Sequence, residues 1–213
     1  MRSFQSRTLV FGGCLVIVGS YGIWRATHSA IGEGAKSCLA ATIAGDADGI
    51  YRYSAAEEIR HLGLTQEKTR TLVRELVEPR IRMASPIGSL QLEVADDRSE
   101  ASAVQTMRGS SGRVFEVSVR MYSTADGPKT SAFFNSLVRA WQIEYHSTRT
   151  GGGRASDMFT ACRIGFAKDR ATLERHGIHG FYSASRIPGM DRFFRTFEEY
   201  DAHWAKMEIV AAK

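Results

Sequence analysis

VFEVSVRM, residues 114–121, alternates from Phe115 onward, with Phe115, Val117, Val119 and Met121 set against Glu116, Ser118 and Arg120. A period of two marks a strand with one buried face and one wetted face. The pattern extends in both directions. Upstream, Leu90, Leu92 and Val94 alternate with Gln91 and Glu93, Asp96-Asp-Arg-Ser99 supplies a turn, and Ala101 to Met107 returns. Downstream, Asp126-Gly-Pro128 makes another turn, and residues 131–138 (SAFFNSLV) suit a strand and a short helix equally. Trp141, Ile143 and Tyr145 then alternate with Gln142, Glu144 and His146 as a last strand. Residues 87–147 thus read as an antiparallel meander with an apolar face to cover.

The residues before it are helical. Cys38, Leu39 and Ile43 fall on one helix that ends near Gly45, and Asp46 caps a short second segment carrying Ile50, Tyr51 and Tyr53. Ser54-Ala-Ala-Glu57 fits a capping box ahead of Ile59 and Leu62, with Gly63 as the stop. Thr65 caps the longest helix, Glu67 sits in its favourable first turn, and Leu72, Val73, Leu76 and Val77 recur at helical spacing up to Pro79.

Helices followed by an antiparallel sheet make an α+β layout, because the helices must cover the apolar face of the sheet. Two stretches sharpen this: Ala44-Gly-Asp-Ala-Asp-Gly-Ile-Tyr-Arg-Tyr-Ser-Ala-Ala-Glu57 and Ala140-Trp-Gln-Ile-Glu-Tyr145. With the element order, they resemble the nuclear transport factor 2-like superfamily (cystatin-like, ketosteroid isomerase-like). The resemblance covers about residues 35–147. It implies a cone whose curved sheet wraps the long helix, and a homodimer through the outer sheet face. Enzymes of this kind need an acid, histidine or tyrosine inside the cone. Here Glu93, Glu116, Arg120, Glu144 and His146 fall on the polar face, out of phase with the apolar one. Tyr51, Tyr53, Phe115, Val117, Trp141 and Tyr145 are the candidate pocket residues, and no catalytic residue is assigned.

Other motifs carry less. His176-Gly-Ile-His179 lacks the helical register of a zinc protease, because Gly177 breaks it. Gly151-Gly-Gly153 lacks the lysine and hydroxyl that follow a phosphate loop. Asp46 and Asp48 start like a calcium loop, but the later ligand positions do not match. No metal or cofactor is expected.

The rest of the chain divides as residues 148–213, a glycine linker and a helical extension, and residues 1–29. In the extension, Asp157 caps a helix through Phe159, Cys162, Phe166 and Leu173 to Gly177. A last helix carries Phe193, Phe194, Phe197, Tyr200, Trp204 and Met207, an aromatic stripe that docks on the body. At the N-terminus, Arg2 and Arg7 precede an uncharged run from Thr8 to Trp24, closed by Arg25. Its 17 residues span roughly 26 Å as a helix, a short membrane crossing. No good signal-cleavage site follows, and Tyr21, Trp24 and Arg25 suit the interface, so an uncleaved anchor is expected ahead of a cleaved secretory signal or a core helix. Charge asymmetry places the N-terminus in the cytoplasm and the domain outside.

Of the net charge of +5, Arg2, Arg7 and Arg25 contribute three, leaving +2 and no basic run, which excludes a nucleic-acid footprint. Cys38 and Cys162 are candidates for a disulfide if the domain is exported, and otherwise for two buried apolar residues. The resulting expectation is an α+β protein: an N-terminal membrane helix, a cone of helices on a curved antiparallel sheet (residues 30–147), and a C-terminal helical extension. Functionally it reads as a membrane-anchored, extracytoplasmic, non-catalytic binding or assembly module with an envelope protein partner. The alternative is a small-molecule isomerase or dehydratase using the cone pocket.

Overall fold

The computed structural model describes residues 30–149, 157–184 and 192–211. Four helices come first: α1 (Ala30–Ala44), α2 (Ala47–Tyr53), α3 (Ala56–Leu62) and α4 (Gln66–Leu72). A π-helical turn, Val73–Val77, and α5 (Glu78–Ile81) continue α4. An antiparallel meander follows, β1 (Ala84–Val94), β2 (Glu100–Gly109), β3 (Val114–Thr124) and β4 (Gly127–Lys129), in spatial order β1-β2-β3-β4. The chain then forms α6 (Ala132–Thr148), α7 (Asp157–Arg175), a hairpin of β5 (Phe181–Ser183) and β6 (Arg192–Phe194), and α8 (Phe197–Ala211). The α+β class stands. The anchor segment Thr8–Trp24 lies outside the described residues, as does the glycine linker at 151–153. Among the described residues no helix is long and apolar enough to cross a membrane.

Local chemistry accounts for most boundaries. Asp46 accepts from the amides of Asp48 and Gly49, and Thr65 from that of Lys68, as N-caps do. Gly63 ends α3 in the left-handed region at φ 55°, where a Cβ is costly. The capping box at Ser54 does not form. Ser54 donates its hydroxyl to the Ile50 carbonyl and accepts the Phe133 amide, so Ala55 occupies the N-cap without a side-chain bond. Pro79 lacks an N–H. The turn before it widens so that the Glu78 amide reaches back five residues to Val73, and the helix continues without a break.

The apolar face of the sheet is the expected one. Ala101, Ala103, Met107, Phe115, Val117, Val119 and Met121 are all buried. β3 pairs along its length with β2, from Glu100↔Tyr122 to Arg108↔Val114. The small residues of α1 allow close approach: Gly34 lies against Pro128 of β4 and Met121 of β3.

The main correction concerns residues 132–148. Trp141, Ile143 and Tyr145 are not strand residues. They sit on α6, so the sheet ends at Lys129 and one of the two stretches behind the resemblance is helical. Burial explains the misreading. Phe133, Phe134, Leu137, Val138, Ala140, Trp141, Ile143 and Tyr145 are buried, and so are Ser136, Gln142, His146 and Ser147 between them. Asn135, Arg139, Gln142 and His146 do recur at helical spacing, but Gln142 and His146 are buried with their apolar neighbours, and the alternation from Trp141 to His146 reads as a strand. The polar residues on α6 serve its neighbours instead: Gln142 donates to the Glu116 carbonyl at the free edge of β3, and His146 stacks on Phe115 with centroids 4.8 Å apart.

The C-terminal segment joins the same core. Cys162, Phe166, Leu173, Phe181, Phe194, Phe197 and Tyr200 belong to the apolar cluster built on α1 and α6. Phe166, Phe181, Phe197 and Tyr200 meet ring to ring at 4.7–6.0 Å. Gly165 of α7 meets the Trp141 ring of α6; a Cβ there would lie 2.2 Å from Trp141 Cγ. On an exposed helix, glycine to alanine stabilises by about 1 kcal/mol. At this contact Gly165→Ala is expected to destabilise instead, by about 2–3 kcal/mol from overpacking. Urea unfolding of the variant measures the sign.

Candidate functional site

The six candidate pocket residues lie on three elements. Phe115 and Val117 are on β3, and Trp141 and Tyr145 are on α6, all four buried. Tyr51 and Tyr53 are on α2 and pack half-buried against the core. Trp141 and Tyr145 share a small cleft of about 140 Å³ with Glu144 and Lys168 between α6 and α7. The Tyr145 hydroxyl accepts from Arg149, whose guanidinium lies 4.3 Å from the ring centroid. Phe115, Val117 and Trp141 belong to the apolar core cluster of the described residues.

Cys38 and Cys162 are both free and buried, so the candidate disulfide is not formed. Each belongs to a helix face that packs inward, one on α1 and one on α7. Burial pushes both thiols up to about 12, with the Glu58 charge adding to the effect at Cys38. A buried, protonated thiol is a poor nucleophile.

Two ionic sites escaped the sequence reading. The first is a cluster that ties α5, α6 and α7 together. The Arg80 guanidinium grips Asp169 with two bonds of 2.8 Å and donates to Glu144 at 2.7 Å. Trp141 Nε1 donates to Asp169 at 2.7 Å, and Lys168 donates to Glu144 at 2.6 Å. Burial works to raise the Glu144 carboxyl, but Lys168 and Arg80 overcome it and hold it below its ordinary value. Arg80, Asp169 and Glu144 answer one another across three helices, which is a structural role.

The second is Glu58, on α3. It is wholly shielded from solvent, and its oxygens accept the amides of Phe134 at 2.9 Å and Phe133 at 3.3 Å. These are first-turn N–H groups of α6, which have no partner within their own helix. Ser131, at the N-cap of α6, makes no side-chain cap bond. A carboxyl group from another helix therefore does the capping. Burial pushes Glu58 up to about 8, against the lowering effect of the amides and Ser54. Ser54 sits at the same end of α6, donating its hydroxyl to the Ile50 carbonyl and accepting the Phe133 amide. A sequence signal existed: Ala55, Glu58 and Leu62 follow one another at spacings of three and four on the buried face of α3.

A polar cleft of about 330 Å³ opens where α6 runs beside the free edge of β3. Arg120 and Ser118 come from β3, Ser102 from β2, and Asn135 and Arg139 from α6. Thr130 and Ser131 lie at the entry to α6, with Met158 and Ser183 opposite. Ser131 accepts the Ala184 amide at 2.6 Å, and Thr130 accepts from Asn135 at 3.2 Å, leaving both hydroxyl protons to point elsewhere. The cleft is lined by two guanidinium groups and by no carboxylate among the described residues. Arg139 was legible as the lone charge in the apolar run around it, Leu137-Val-Arg-Ala-Trp141.

Among the described residues no group of histidine, cysteine, aspartate and glutamate side chains could hold a metal ion. In comparisons with protein-family models, curated proteins and solved structures, the chain gives no significant match.

Proposed function

We propose that the chain is a membrane-anchored, extracytoplasmic binding or assembly module with no catalysis of its own. The filled interior carries this reading. Phe115, Val117, Trp141 and Tyr145 occupy the space where a substrate would sit, and Glu58, the acid with a raised pKa, is enclosed and committed to capping α6. General acid–base catalysis needs a group within hydrogen-bond reach of its substrate, and Glu58 meets no solvent. What supports the anchor is the Thr8–Trp24 run with its arginine flanks. A tether raises the effective concentration of the domain near other membrane components. What supports kinship with the nuclear transport factor 2-like superfamily is the order of helices before an antiparallel meander, without the final strand. A homodimer through the outer sheet face and an envelope protein partner belong to the same proposal.

The competing reading, an isomerase or dehydratase, is favoured by one observation, the raised pKa of Glu58. Crosslinking of the full chain in native membranes, followed by mass spectrometry, separates the two. Reproducible recovery of one envelope complex supports the module. Recovery of no partner, together with turnover of a co-purified metabolite that Glu58→Gln abolishes, supports the enzyme.

A further inference from the structure

We infer that the cleft between α6 and the free edge of β3 is a binding site for a small oxyanion, a phosphate or carboxylate group carried on a polar ligand, with Arg139 as its principal contact. The inference rests on the binding-module reading and gives it a ligand class.

Arg139 is the reason. Guanidinium groups taken out of water are normally matched by a carboxylate or a full set of acceptors. Arg80 shows that pattern in this protein, with Asp169, Glu144 and the Leu76 carbonyl around it. Arg139 does not. Its Nη1 donates to Gln142 Oε1 at 3.1 Å, and that is its sole hydrogen bond among the described residues. Its Nε is fully buried without a partner. Gln142 in turn is fixed by its bond to the Glu116 carbonyl, so it holds one edge of the guanidinium in place. The Nε edge is left without a partner among the described residues, and a guanidinium edge is a two-pronged donor that matches the oxygens of a carboxylate or phosphate.

The surroundings are suited to the same ligand. Arg120 adds a second cation at the exposed side, with no carboxylate partner among the described residues. Ser102 and Ser118, held in the β2–β3 ladder by their backbones, bring two hydroxyls to the same cleft. Hydroxyl and amide donors around two cations, with no acidic residue in the lining, give a site selective for negative charge. Burial draws the Arg139 guanidinium below the ordinary arginine value, and a bound anion would reverse that cost. The volume lies at the low end for small-ligand sites, which run from about 300 Å³ upward.

The test is titration of the full-length protein in detergent with inorganic phosphate and, separately, with acetate, against chloride at matched ionic strength. The readout is the Nε resonance of Arg139 in a nitrogen–proton NMR spectrum, assigned through its loss in Arg139→Gln. A saturable shift of that resonance is expected with at least one of the two oxyanions and not with chloride. Arg120→Gln, at an exposed position that should leave folding intact, is expected to weaken binding about tenfold, the worth of one charge-assisted contact. A larger response to phosphate assigns the site to phosphate groups, and a larger response to acetate to carboxylates. An Arg139 resonance unmoved by both, in the folded wild-type protein, overturns the inference, as does Arg120→Gln binding with wild-type affinity. Either failure leaves membrane crosslinks intact. A bound oxyanion ester that is hydrolysed or rearranged would instead overturn the non-catalytic reading and leave the site standing.

Discussion

Glu58→Ala is expected to destabilise the protein by about 3–5 kcal/mol at pH 5, because two buried amides of α6 lose their acceptor and a cavity opens beside them. The cost should shrink as pH rises. Burial lifts Glu58 in the folded state to about 8 from its ordinary 4.5. The folded protein therefore holds a proton that the unfolded chain has released between those values. A raised carboxyl contributes stability that is fully present below pH 4.5 and is lost as pH climbs through about 8. The wild-type protein should accordingly lose stability across that window, and Glu58→Gln should lose less. Urea unfolding of wild type, Glu58→Gln and Glu58→Ala at pH 5, 6.5 and 8 measures this. A wild-type to glutamine difference that does not change with pH would refute the buried proton.

Asp169→Ala is expected to cost a comparable amount, about 3–5 kcal/mol, for a different reason. Asp169 neutralises Arg80 through two 2.8 Å bonds and accepts the Trp141 indole, with the Arg80 and Asp169 side chains only 13% and 6% exposed. Removing one member of a buried ion pair leaves the other charge uncompensated, and that desolvation outweighs the worth of the pair itself. Arg80 would retain Glu144, which also serves Lys168. Asp169→Asn should therefore be milder than alanine, since the amide oxygen still accepts one bond. Asparagine as damaging as alanine would show that charge, not hydrogen bonding, decides the effect.

The meander was legible because β2 and β3 each have one wet face, and a one-sided sheet writes its period into the sequence. Phe115, Val117, Val119 and Met121 fell as their alternation required. The caps at Asp46 and Thr65 were legible because capping is local chemistry. The central helix was not, because its burial is a property of the whole fold. Gln142 and His146 look like the polar face of a strand only until their partners, the Glu116 carbonyl and the Phe115 ring, are placed beside them. That error moved Trp141 and Tyr145 from a pocket wall to the middle of the core. It also concealed the cleft, since Arg139 meets Ser118 and Arg120 only when residue 139 is on a helix at the edge of β3. Glu58 and Asp169 were hidden for a related reason: a buried acid is recognised by partners far along the chain, 76 residues away at Phe134 and 89 at Arg80.

The functional reading depends on one structural claim, that α6 fills the interior and that Glu58 is bound to its first turn and not to a substrate. Amide hydrogen exchange of the full-length protein tests it directly. The first N–H groups of a helix have no partner within it and exchange readily when left to water. The amides of Phe133 and Phe134 are predicted to exchange as slowly as those of Ile143 in the middle of α6, through unfolding of the whole core, and to speed up selectively in Glu58→Ala. Phe133 and Phe134 exchanging at the rate of an open loop in the wild-type protein would contradict the account, freeing Glu58 for chemistry and reopening the interior as a site.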